Sequence, residues 1–229
     1  MENTAGKKSA KDKEKTDKLD KIRDAYITYV LEHNQEPPSV FQFMKSLRMK
    51  EETFYNYFNS FSSLEKDVWK SFFSETMERI ESEPVFVEYS IREKLLAFYF
   101  TLIEVLKSRR SYVLYSIGKA RFVEISRARG KGAFMSRFKN EFKDFANEIL
   151  TEGRETDEIV DRPIIGNSYD EVIWQQLVFV LNFWVKDDSN RFERTDAAIE
   201  KAVNLTFDII GRSLVDSAVD FARFLTQRR

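Results

Sequence analysis

Cysteine is absent and histidine occurs once, at His33. Disulfide frameworks, thiolate zinc sites and thiol nucleophiles are excluded by residue type alone, and a histidine-based catalytic triad, which would have to be built on His33, is not expected. Glycine and proline are scarce, at seven and four in 229 residues, too few for the many tight turns of an all-β or α/β fold. No excess of one charge exists either: 37 basic residues stand against 38 acidic, so bulk charge points neither to a nucleic-acid coat nor to a trap for acidic substrates. Long apolar runs are also missing. The most apolar stretch, 172–185, is interrupted by Gln175, Gln176 and Asn182, whereas a membrane-spanning helix needs about 20 apolar residues. The first 18 residues are almost wholly polar and lack the apolar core of an export signal, which predicts a cytoplasmic protein without a membrane span.

What remains is helical periodicity. Apolar residues make 42% of the chain, enough for a sizeable core, and they recur at spacings of three and four through most of it. Leu19, Ile22, Ala25, Tyr26, Tyr29 and Val30 define a first helix from about Asp17, which Pro37 and Pro38 end. Ser39 can cap a short second helix with Val40, Phe43, Met44 and Leu47 inside, and a third from about Glu51 buries Phe54, Tyr57 and Phe58. Longer helices follow, separated by Pro84, Gly130–Gly132, a loop over 153–167 and a turn over 187–194, with Thr195 as the expected cap of the last helix. The expectation is an all-α protein of about nine helices. Residues 1–18 form a flexible arm of mixed charge, 19–62 a small three-helix head, and 63–229 a larger helical body.

Two short helices joined by a tight turn, after a longer first helix, outline a helix-turn-helix, whose second helix enters the major groove of DNA. The stretch Pro38-Ser-Val-Phe-Gln-Phe-Met-Lys-Ser-Leu-Arg-Met-Lys-Glu-Glu-Thr-Phe-Tyr-Asn-Tyr-Phe58, continuing through Leu64, resembles without a gap the N-terminal domain of the TetR/AcrR family of bacterial regulators. Thr53-Phe-Tyr-Asn-Tyr-Phe58 carries most of the likeness, and the passage from Trp184 to Thr195 looks like the turn before that family's last helix. The resemblance implies that the second and third helices dock on double-stranded DNA, with Thr53 and Tyr55 at positions that commonly contact phosphates; Lys45 and Lys50 can add charge, and Ser39, Arg48, Glu51 and Asn56 complete the candidate DNA-binding residues. Departures from the pattern are specific. Arg48 stands where the family usually has Gly, Lys50 where a small cap is usual, Glu51-Glu52 where Lys-Gly is common, and Phe61 in place of a Lys. Residues 1–60 carry eleven basic and ten acidic side chains, a net charge of +1, while specific DNA binders neutralise about 6 to 10 phosphates. Glu51 or Glu52 and Asn56 can read cytosine and adenine edges, or can be solvated helix positions in a head that no longer binds DNA. Exposed Phe41 and Phe61 would suit a protein partner.

The larger half is rich in rings. Tyr99, Tyr112, Tyr115, Phe122, Phe138, Phe142 and Trp174 are candidates to line a pocket for a small hydrophobic ligand, as the resemblance implies, and ordinary core is the alternative for each. The last two helices are apolar on more than one face and need cover on every side. Leu177, Leu181, Trp184, Ile210 and Leu214 are the candidates for a homodimer interface built as a four-helix bundle. Catalysis is not expected and no cofactor is implied. Asp157-Glu158 and Asp187-Asp188 read as solvated turns, and Gly130-Lys-Gly132 lacks the spacing of a phosphate-binding loop. Two functions follow: a one-component transcriptional regulator, most simply a repressor, that answers to an apolar ligand; or a protein of the same fold that binds lipid or another hydrophobic ligand and has lost DNA binding.

Overall fold

Ten α-helices and no strand make up the described residues, 3–160 and 168–210, of the computed structural model. They are α1 (Asn3–His33), α2 (Val40–Ser46), α3 (Glu51–Tyr55), α4 (Phe61–Glu81), α5 (Ile91–Lys107), α6 (Arg110–Gly118), α7 (Phe122–Arg127), α8 (Ser136–Glu155), α9 (Tyr169–Lys186) and α10 (Glu193–Ile210), with single 3-10 turns before α5, α8 and α10. The all-α expectation holds.

The starts of α2, α4 and α5 fall where a serine side chain meets free amides. Ser39 Oγ accepts from the Gln42 N–H at 3.2 Å. Ser60 and Ser63 form a reciprocal capping box at the head of α4, and Ser90 and Glu93 do the same for α5. The α3 start is different: Lys50 occupies its cap position and makes no side-chain cap bond. One boundary moves against expectation. The first helix begins at Asn3, well before Asp17, because Lys and Glu are good helix formers and i,i+4 pairs such as Glu14–Lys18, at 2.7 Å, add support where no apolar stripe does. The helix α8 likewise continues through Gly153 to Glu155, shortening the expected loop at that end. Gly153 packs against Ile159 and Ile91, so a methyl group there would have no room.

The head is α1 to α3, locked by rings. Phe43, Phe54 and Phe61 meet one another at 5.5 to 6.5 Å, Phe54 packs on Phe58 at 5.5 Å, and Tyr26 stacks on Phe61 at 5.8 Å. Phe61 is therefore half-buried and structural, not an exposed docking residue as expected. The tight turn between α2 and α3 places Arg48 at φ 56°, in the left-handed region that costs a residue with a Cβ about 1 to 2 kcal/mol. Arg48→Gly is expected to raise stability by about 0.5 to 1 kcal/mol once the extra freedom of glycine in the unfolded chain is subtracted. Urea titration of both proteins checks this.

In the body, α4 packs against α5 and α8, and α8, α9 and α10 follow in sequence, with α10 also against α5. The α9–α10 turn is not solvated at its start. Asp187 is 6% exposed and accepts from the Ser189 N–H, the Thr195 N–H and the Thr195 hydroxyl at 2.6 to 2.9 Å. The expected roles are thus exchanged: Asp187 satisfies the first turn of α10, and Thr195, buried inside it, is the group satisfied. Burial by itself would raise the Asp187 carboxyl, but the hydrogen bonds from Thr195 and Ser189 outweigh it and hold the pKa at about 2. Arg110 then locks the other side of the turn, its guanidinium 4.6 Å from the ring of Trp184 and from that of Phe192 and donating to the carbonyls of Trp184 and Val185 at the end of α9.

Candidate DNA-binding head and effector body

The outer face of α2 and α3 follows from which residues the ring core takes. Phe43, Met44, Phe54 and Phe58 point in, so Lys45, Arg48, Lys50, Glu52, Tyr55 and Asn56 are left exposed, with Ser39, Glu51 and Thr53 half-buried beside them. The eight residues expected to contact DNA are therefore all exposed or half-buried, along the segment from Ser39 to Asn56. Ser39 already accepts as a cap, which leaves its O–H free to donate to a phosphate oxygen. Tyr55 is 52% exposed, and its hydroxyl donates to Glu51 Oε1 at 3.5 Å, so Glu51 is held back along its own helix. Lys45 lies over the ring of exposed Phe41 at 5.9 Å.

The aromatic candidates of the body separate into core and surface. Tyr99, Tyr112, Phe138, Phe142 and Trp174 are fully buried. Phe142 packs 6.0 Å from Trp174, Phe138 6.4 Å from Trp174, and both Phe142 and Phe145 lie 5.1 Å from Phe98. The Tyr99 hydroxyl donates to Gln176 Oε1 at 2.7 Å, and Gln176 donates onward to Thr206 at 2.7 Å, joining α5, α9 and α10. Tyr115 is half-buried under Lys119, and Phe122 is largely exposed.

An apolar groove of about 750 Å³ lies elsewhere, along the outer side of α9 and α10, lined by Val172, Phe179, Phe183, Ala198, Ala202 and Leu205 among others. Sequence reasoning missed it. Four of the five residues expected at a dimer interface, Leu177, Leu181, Trp184 and Ile210, are instead packed inside their own subunit at 0 to 1% exposure; Leu214 lies outside the described residues. Phe179, 47% exposed, and Leu205, 62% exposed, occupy the opposite faces of the same helices. A helix that is apolar all round shows two candidate stripes, and only the packing of the subunit says which one is left over.

The family of the body is decided by its sequence as a whole. Residues 94–225 match the tetracyclin repressor-like, C-terminal domain. The chain belongs to the TetR family. Its fold is also that of a solved structure, "Structural analysis of fatty acid degradation regulator FadR from Bacillus halodurans", with a TM-score of 0.55, 19% identity, and 83% of this chain and 94% of that chain covered. At that identity the likeness is one of fold. No curated protein sequence matches. Among the described residues no helix is long and apolar enough to cross a membrane.

Proposed function

We propose that this TetR-family chain is a one-component transcriptional regulator, binding operator DNA as a homodimer and releasing or taking it in response to a small apolar ligand held by the body. The observation that carries the reading is the head: its ring core turns Arg48, Lys50, Tyr55 and Asn56 outward together on the turn and second helix of a helix-turn-helix. The exposed apolar groove of α9 and α10 supports the twofold partner, since two copies joined there bury each other's Phe179 and Leu205 and form a four-helix bundle. The fatty acid regulator named by the similar structure makes a long-chain apolar effector the first to try.

A second reading keeps the fold and drops the DNA. It is favoured by Phe61, which the structure spends on the head's aromatic core in a place where a lysine would reach for phosphate, and by exposed Glu52 beside the recognition surface. Fluorescence anisotropy separates the two. The purified protein is titrated into a duplex from its own upstream intergenic region and into a scrambled one, at about 50 and 200 mM salt. The regulator prefers the native duplex, weakens by about tenfold or more over that salt range, and loses about 1 to 3 kcal/mol of binding when Tyr55→Phe and Asn56→Ala are combined. Equal, negligible binding to both duplexes supports the second reading, and a co-purified lipid found by mass spectrometry would then identify its ligand class.

A further inference from the structure

Three buried polar atoms where the head meets the body have no hydrogen-bond partner: the Tyr26 hydroxyl, Glu65 Oε1 and the Tyr112 hydroxyl. They belong to α1, α4 and α6, and both tyrosines are fully buried. Around them stand Lys119 at the end of α6, its Nζ 3.6 Å from Glu65 Oε1 and 3.8 Å over the Tyr115 ring, and Glu36 from the segment between α1 and α2. Along α4, residues 61, 65 and 69 share a face at i,i+4 spacing. Phe61 stacks on Tyr26 of α1, and Trp69 donates to Ser116 of α6 at 3.3 Å. Glu65, between them, is the charge that both neighbouring helices cover. Burial pushes its carboxyl above the usual range, and Lys119 only partly offsets this; burial, Glu65 and Glu36 push the Tyr26 hydroxyl up, and Tyr112 follows the same pattern.

We propose that Glu65 is a proton-sensitive positioning residue at the joint between head and body, its neutral form favouring a head docked on α4 and α6 and its charged form loosening that contact. The reason is solvation. Docking α1 seats Tyr26 on Phe61, one turn before Glu65 on α4, and closes that face to water; a charge covered in this way regains water when α1 lifts, whereas a neutral acid gains little. A group protonated more easily in the docked state stabilises docking below its free pKa, and that contribution is lost as pH rises through the docked value. Lys119 limits the loss by pairing with the charge.

Hydrogen exchange of α1 amides over 19–33, in the full chain and corrected for intrinsic rates, tests this at about pH 5 and pH 7.5. The ionisable groups around Glu65 are Tyr26, Glu36, Tyr112 and Lys119, with Tyr115 beneath Lys119; the variants separate their effects. Wild type is expected to lose about threefold or more of its protection from acid to neutral pH. Glu65→Gln is expected to keep the acid level at both, and Lys119→Met to enlarge the drop. Equal protection of wild type at the two pH values overturns the proposal, as does a drop that survives in Glu65→Gln. If Glu65→Gln does not fold, an unchanged drop in Lys119→Met overturns it alone.

Discussion

For the homodimer proposed through the groove of α9 and α10, replacing Phe179 and Leu205 together by glutamate is expected to give a monomer at micromolar concentration with helix content unchanged. Both side chains project from the outer face of α9 and α10, so a single subunit has room for the new carboxylates in water. A bundle formed with a second copy has none, because the charges would be covered without partners. A penalty of roughly 4 kcal/mol weakens association about a thousandfold. Light scattering reads the mass, and operator affinity should fall with it, since one head alone makes half the phosphate contacts. Leu181→Ala supplies the contrast. Leu181 is 1% exposed inside the subunit, so its loss should lower unfolding free energy by about 2 to 5 kcal/mol. A double glutamate variant that stays dimeric would place the interface on another face.

Asp187→Ala should be the most damaging single change at a charged position. It strips the acceptor from two backbone amides and one hydroxyl, of which the Thr195 pair is buried. Unmet buried donors cost about 1 to 3 kcal/mol each in the worst case, and bonds to a charged acceptor run at the high end, so a loss of about 2 to 4 kcal/mol is expected. The effect has a pH signature whose sign is fixed. The carboxyl sits at about 2 in the folded chain, below its ordinary value near 3.8, so its contribution is complete above that ordinary value and is lost as pH falls towards 2. The stability difference between wild type and Asp187→Ala should therefore shrink through that window and stay flat above it. Thermal melts of both proteins across acid pH measure it, and a difference independent of pH would mean that Asp187 acts through packing alone.

The head was legible in the chain of residues because its signals are local. Pro37-Pro38 and the Ser39 cap set the end of α1 and the start of α2 within a few residues of where they stand, whereas the start of α1, well before Asp17, has no apolar stripe to mark it, and α3 ends at Tyr55, ahead of Tyr57 and Phe58. Phe61 was read by its likeness to a lysine position, and that reading could not see the Tyr26, Phe43 and Phe54 rings that surround it. The same limit applies to Asp187. Neighbouring acids in a polar stretch look solvated, and only the fold of the α9–α10 turn brings Thr195 back over one of them.

By itself, the sequence determined the all-helical class and the exclusion of cysteine chemistry, since composition and helical periodicity do not depend on distant contacts. It also determined that α9 and α10 carry more apolar surface than one neighbour can cover. Tertiary structure alone decided which stripe of those helices is core and which is the open groove of Phe179 and Leu205, that Tyr99, Phe138, Phe142 and Trp174 pack ring against ring, and that Glu65 buries one carboxylate oxygen 3.6 Å from the Lys119 ammonium. Periodicity marks the faces of a helix, whereas burial depends on partners tens of residues away, and those partners meet only in the folded chain.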